Sequence, residues 1–177
     1  ESPKETVFRD GLVIRSVGRS GRNPFHIDPI EAIIVKGQWT PPAAGDVIAG
    51  PDGSDRPWEI AGAAADGTFT NSAVGPSTNR TRGGGGYLYV PFQAAAGEIR
   101  MLQASGQDAL YLNGEPRAGD PYGFGYLQLP VELRAGTNDF LFQFSRGQVR
   151  ARLVTPRSPV MLNLRDLTLP DLIRGDQ

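Results

Sequence analysis

Cysteine is absent from the chain, which excludes a disulfide framework, a thiolate nucleophile and any cysteine-ligated zinc or iron centre. Histidine occurs once, as His26, and this leaves little room for a multi-histidine metal site. Neither sign of charge is in excess, because 18 Lys and Arg stand against 19 Asp and Glu for a net charge of −1. Such a balance argues against nucleic acid or an anionic membrane surface as a partner recruited by bulk charge. No apolar run approaches the roughly 20 residues of a membrane span, and none resembles the core of a secretory signal. The first residue is Glu1 rather than Met, as expected of a trimmed export precursor or of a fragment cut from a longer protein. Lack of cysteine suits a bacterial exported protein and a cytosolic one alike.

What is plentiful is punctuation. The 177 residues include 23 Gly and 15 Pro, far above the roughly 12% these two contribute to an average protein. Long helices are therefore not expected. Hydrophobic residues make up 39% of the chain, and a single domain of this length hides roughly 70% of its unfolded surface. One β-rich domain over residues 1–165 is the simplest expectation, with irregular connections at 38–57 and 71–86 and a tail or linker at 166–177.

The periodicity supports that reading. Gly11–Val17 alternates weakly, and Ile30–Lys36 is a β-branched run between Pro29 and Gly37, so both are expected as strands. Within the first irregular region only Asp46–Ala49 and Trp58–Ala61 have the composition to pair. Asp66-Gly67 signals a turn before Thr68–Thr70. Further strands are expected at Tyr87–Phe92, Glu98–Ala104, Asp108–Leu112, Tyr126–Leu129, Asn138–Ser145, Gln148–Val154 and, in the C-terminal piece before the tail, Met161–Leu164. Asn113-Gly114 is the strongest short-range turn signal, because both residues tolerate positive φ. Arg146-Gly147 reads as the turn of a second hairpin. Phe140, Phe142 and Phe144 share one face of their strand and mark a core, with Asp139, Leu141 and Gln143 opposite.

From about Tyr87 to Leu153, Tyr87–Phe92, Leu110–Glu115, Leu129–Leu133 and Ala135–Asn138 follow one another in an order that resembles the galactose-binding-domain-like β-sandwich. This is the jelly-roll module appended to many bacterial glycoside hydrolases and other secreted hydrolases. The resemblance implies an antiparallel jelly roll that is not itself catalytic and that serves as a sugar binder, a spacer or a docking surface. It implies an extracytoplasmic location and a catalytic domain beyond Gln177 in the same polypeptide. It implies no cofactor, although related sandwiches often hold a structural calcium ion. The insertion Asp120–Gly125 departs from the family pattern and puts the usual ligand edge in doubt.

Candidate chemistry is sparse. His26 lies near Asp28, but a polar loop residue commonly satisfies local bonds alone. Gly18–Arg22 has Arg22 where a nucleophile elbow needs its second glycine. Gly83–Gly86 runs into a strand rather than the helix a phosphate cradle requires, and Asp52–Asp55 lacks the spacing of a calcium loop. A stand-alone glycosidase would need two acids at a set separation, and Asp108, Glu115, Asp120 and Glu132 near turns are the candidates; turn acids, however, are favoured by local hydrogen bonding alone.

Aromatic rings offer more, since a flat ring covers the apolar face of a pyranose while amides, carboxylates and arginines take its hydroxyls. The expected contacts are Trp58, Tyr122 and Tyr126, with Asn113, Arg117 and Asp120 as polar neighbours. Trp39 and Phe124 sit in similar surroundings. The competing expectation is that Trp58 and Tyr126 plug the ends of the sandwich and that Asp120–Gly123 is a packed turn, which the general burial of large aromatics favours.

Overall fold

The computed structural model describes residues 4–17, 27–50, 53–70, 85–120, 122–125, 127–144 and 148–160. The strand expected at Met161–Leu164, the 71–84 connection, His26, Ser20 and the tail lie outside these residues. Within them the chain is all-β with antiparallel pairing, apart from one helix. The elements are β1 (Glu5–Val7), β2 (Asp10–Ile14), α1 (Pro29–Val35), β3 (Val47–Ala49), β4 (Asp55–Pro57), β5 (Glu59–Gly62), β6 (Thr68–Thr70), β7 (Gly86–Ala94), β8 (Glu98–Ser105), β9 (Ala109–Leu112), β10 (Glu115–Ala118), β11 (Gln128–Leu133), β12 (Gly136–Phe144) and β13 (Gln148–Val154).

Two sheets face each other across a common core, in a sandwich-like arrangement. One has the order β1-β13-β8-β11, with β6 sharing the β13 edge, and the other β10-β9-β12-β7-β2-β5. Between them lie Phe140, Phe142 and Phe144 from β12, all buried as their alternation predicts, against Leu102, Val131, Val149 and Leu153 of the other sheet. Phe140 and Phe142 stack with centroids 6.2 Å apart, and Phe8 meets Phe140 at 5.1 Å. At the β9–β10 turn, Asn113 and Gly114 have φ of 53° and 84°. Both are left-handed, which is what a two-residue turn matching the strand twist requires.

Three expectations change. Ile30–Lys36 is not a strand: Pro29–Val35 forms α1, because Asp28 caps it through Ile30 N at 2.9 Å and Glu31 N at 3.2 Å, and Pro29 fits the first helical turn. Gly37, at φ 66°, ends the helix by donating to the Ile34 carbonyl. Ile30 and Ile34, one turn apart, then share the face that packs inward. The second change concerns Arg146-Gly147. Strands β12 and β13 do not pair, since β12 lies between β9 and β7 while β13 lies beside β8 in the other sheet; Arg146-Gly147 itself lies outside the described residues. The third is that Val47–Ala49 pairs with Asp55–Pro57 as a separate ribbon, and Glu59–Gly62 pairs instead with β2.

The six-stranded sheet is also covered on its outer face. Tyr87, Tyr89 and Leu141 point away from the sandwich core into a second cluster with Ile14, Ile30 and Trp58, flanked by Ile34, Trp39 and Ile48. Leu141, expected opposite the core face, is only 1% exposed. Leu141→Ala should therefore cost about 2–5 kcal/mol, the range for a buried leucine, read as a lower urea midpoint at unchanged m-value. A cost within the roughly 0.5 kcal/mol of ordinary surface substitutions would contradict burial of this outer face.

Candidate functional site

Two places concentrate polar side chains, and they differ in what their polar atoms are doing. The first lies under α1. Asp28, besides capping the helix, accepts a hydrogen bond from the Tyr87 hydroxyl at 2.9 Å; Gln143 Nε2 donates to that hydroxyl at 2.9 Å and to Glu31 Oε1 at 3.2 Å, and the Tyr111 hydroxyl donates to Glu31 at 3.3 Å. Burial, aided by Asp28, pushes the Tyr87 phenol far above its ordinary range, and burial with Glu31 pushes Tyr111 up to about 12. Burial also raises the Asp28 carboxyl, outweighing the hydrogen bonds that favour its charge. Perturbed groups of this sort can mark reactive sites. Here they bind α1 to the sheet, each engaged with a neighbour inside the packed second layer. A further buried bond, from the Tyr89 hydroxyl to Asp139 at 2.8 Å, fastens the same face.

The second place is open. Alternation along β13 turns Val149, Ala151 and Leu153 inward and Arg150 and Arg152 outward. The pairing aligns Val7, Arg152, Gln103 and Gln128 in one row across β1, β13, β8 and β11, with Arg150 opposite Ser105 in the next row. These residues floor a groove made of two adjoining hollows of about 310 and 530 Å³ that share Glu5, Gln103, Gln128 and Arg152. Arg152 donates to Gln103 Oε1 at 2.7 Å and to Glu5 Oε1 at 3.1 Å. Asp66 lines the groove beside Arg150; hydrogen bonds from Thr68, and then the Arg150 charge, hold its carboxyl below the ordinary range.

At one end the groove reaches Gly125, the last described residue of the Asp120 loop. Asp120 is buried and shapes that loop, accepting from Phe124 N at 3.1 Å and Gly125 N at 2.7 Å while its own N–H donates to Gln107 O at 2.8 Å. The loop carries Tyr122 and Phe124 at the surface, 67% and 66% exposed, with ring centroids 5.7 Å apart and planes at 23°.

The sequence-predicted contacts thus separate. Tyr122 and Asp120 share the loop at the groove, Tyr122 as an exposed ring and Asp120 as its internal brace. Asn113 lies past the far end of β9, and its side chain is occupied, donating to Asn138 at 3.1 Å and accepting from Asp139 N at 2.9 Å. Arg117 is on edge strand β10, paired with Glu115 at 2.7 Å. Trp58 is 2% exposed in the second cluster, on the opposite side of the molecule's six-stranded sheet from the groove, so its ring packs as a core residue. Tyr126 lies outside the described residues. Sequence reasoning passed over Gln103, Gln128, Arg150 and Arg152; the alternation of Gln148–Val154 exposes the arginines, but nothing local shows which strands align beside them. Among the described residues no three His, Asp or Glu side chains gather as a metal site.

A carboxyl raised in the folded state favours folding below its ordinary pKa and loses that contribution as pH rises through the folded value. Asp28→Asn retains an oxygen to cap α1. In urea denaturation, the stability of the native chain relative to this variant should fall as pH rises above the ordinary carboxylate range; a relative gain as pH rises would show that the hydrogen bonds, and not burial, govern Asp28. Comparison with known proteins finds no family model, curated protein or solved structure that matches this chain.

Proposed function

We propose that the chain is a non-catalytic jelly-roll module of galactose-binding-like type, an accessory to a larger exported bacterial hydrolase, and that it holds carbohydrate in the groove on the five-stranded sheet. Support for the jelly roll comes from the nesting of the pairs β6–β13, β7–β12, β8–β11 and β9–β10. Those are the pairs made by one long antiparallel ribbon, with Asn113-Gly114 at its tip, when it is rolled so that successive strands alternate between two sheets.

The observation that carries the binding reading is the exposed Tyr122–Phe124 pair on a braced loop at the end of a polar groove. Rings supply the apolar surface a pyranose needs, and the arginine, glutamine and carboxylate side chains of the floor supply donors and acceptors for hydroxyls. Asp120 lowers the entropic cost of presenting the rings, because it fixes the loop before any ligand arrives. The groove lies on the sheet face that α1 and its layer do not cover.

Affinity electrophoresis through polysaccharide gels tests the reading. Retardation should weaken by about tenfold or more when Tyr122 and Phe124 are both replaced by alanine, the size expected for central aromatic contacts, and should survive Arg117→Ala on the distant hairpin. Retardation indifferent to the double replacement would contradict a role for the loop. A chain that no polysaccharide retards is instead a docking or spacer domain.

A further inference from the structure

We infer that the groove selects an extended stretch of a neutral polysaccharide, rather than an acidic chain or a single terminal sugar; this rests on the carbohydrate reading above. The first half of the inference comes from charge. The groove lining includes three arginines and two carboxylates: Arg152 pairs with Glu5 at 3.1 Å, and Arg150 and Asp66 line the same hollow. Arg157 stands at the far end. A uronate carboxylate entering the middle of the groove would meet Glu5 already beside Arg152, with the Asp66 carboxylate in the same hollow, and it would have to give up water to compete with them. A neutral hydroxyl does not face that competition. It donates to a carboxylate and accepts from a guanidinium at once, so the Arg152–Glu5 couple, and each amide of Gln103 and Gln128, offers both halves of what adjacent sugar hydroxyls require.

The second half comes from shape. The two hollows share four lining residues and run along β13 from Arg150 to Val154, roughly 14 Å at about 3.4 Å per residue, and then on to Pro156 past the strand end. On one strand face the outward side chains repeat about every 6.8 Å, so Arg150 and Arg152 can be engaged in series, with the loop that carries Tyr122 and Phe124 reaching the groove at Gly125. A single sugar would use one of these positions and leave the others in water.

Isothermal titration of the whole chain with neutral cello-, xylo- and manno-oligosaccharides and with oligogalacturonates tests this. At least one neutral series should bind, with affinity rising about tenfold or more from disaccharide to hexasaccharide and little change between about 0.05 and about 0.5 M salt. Arg152→Ala should weaken it about tenfold. Glu5→Gln, which leaves Arg152 without its carboxylate, should bring oligogalacturonate binding that the native chain lacks. Salt-sensitive binding of oligogalacturonate by the native chain would overturn the neutral-ligand inference while leaving carbohydrate binding in place, and equal affinity for monosaccharide and hexasaccharide would overturn the extended one. Failure to bind any glycan, of either charge, would overturn the carbohydrate reading itself.

Discussion

The pairing of β7 with β12, nine residues in register from Gly136 opposite Ala94 to Phe144 opposite Gly86, is the interaction on which the rest of the molecule depends. These strands are central in the six-stranded sheet, and both of its faces are covered. Leu88, Val90, Phe140 and Phe142 enter the sandwich core, while Tyr87, Tyr89 and Leu141 enter the outer layer. A sheet closed on both sides tolerates polar atoms only where they find partners. The phenol groups of Tyr87 and Tyr89 find Asp28 and Asp139, and through Asp28 the sheet determines where α1 begins. The five-stranded sheet differs in that its outward face, where Arg150, Arg152, Gln103 and Gln128 stand among apolar residues such as Val7, Met101 and Val154, carries the open groove.

How far these features could be read from residue order depends on how local their causes are. The Asn113-Gly114 turn is set by the backbone preferences of two residues, and the inward phenylalanines by a period of two, so both were legible. The helix carried its own start and stop signals in Asp28-Pro29 and Gly37, yet the β-branched run Ile30-Glu31-Ala32-Ile33-Ile34-Val35 suggested a strand. Capping and burial of Ile30 and Ile34 outweigh that weak propensity. Arg146-Gly147 has the composition of a tight turn, but whether two consecutive strands pair is decided by the sheet each one joins, and β12 and β13 join different ones. Leu141 was hidden for a similar reason. Nothing within Asn138–Ser145 tells that residues more than a hundred positions earlier return to cover its second face.

The candidate site shows the same division. For Tyr122 the Gly- and Pro-rich surroundings left both an exposed ring and a packed turn open, and the ring is exposed; Asp120, expected as a ligand contact, instead accepts backbone N–H bonds of its own loop, and the second ring, Phe124, stood in the same stretch. Trp58 shares the irregular surroundings of Tyr122 but is drawn into the outer layer. The groove floor was not legible, because Glu5, Gln103, Gln128 and Arg152 come from four strands and become neighbours only through cross-strand register. The distribution of the strands between two sheets thus leaves one outer face open, with the groove on it, and the outer face of the other sheet covered.

Native-state hydrogen exchange measures the double coverage most directly. Amides of Tyr87–Val90 and Phe140–Phe142 should be the slowest in the chain and should exchange only through global unfolding, with denaturant dependence equal to that of the equilibrium transition. Edge strands β1 and β10 should exchange earlier through local opening. Exchange of the β7 and β12 amides by small fluctuations insensitive to denaturant, at rates like those of the edges, would contradict a central pair sealed on both faces.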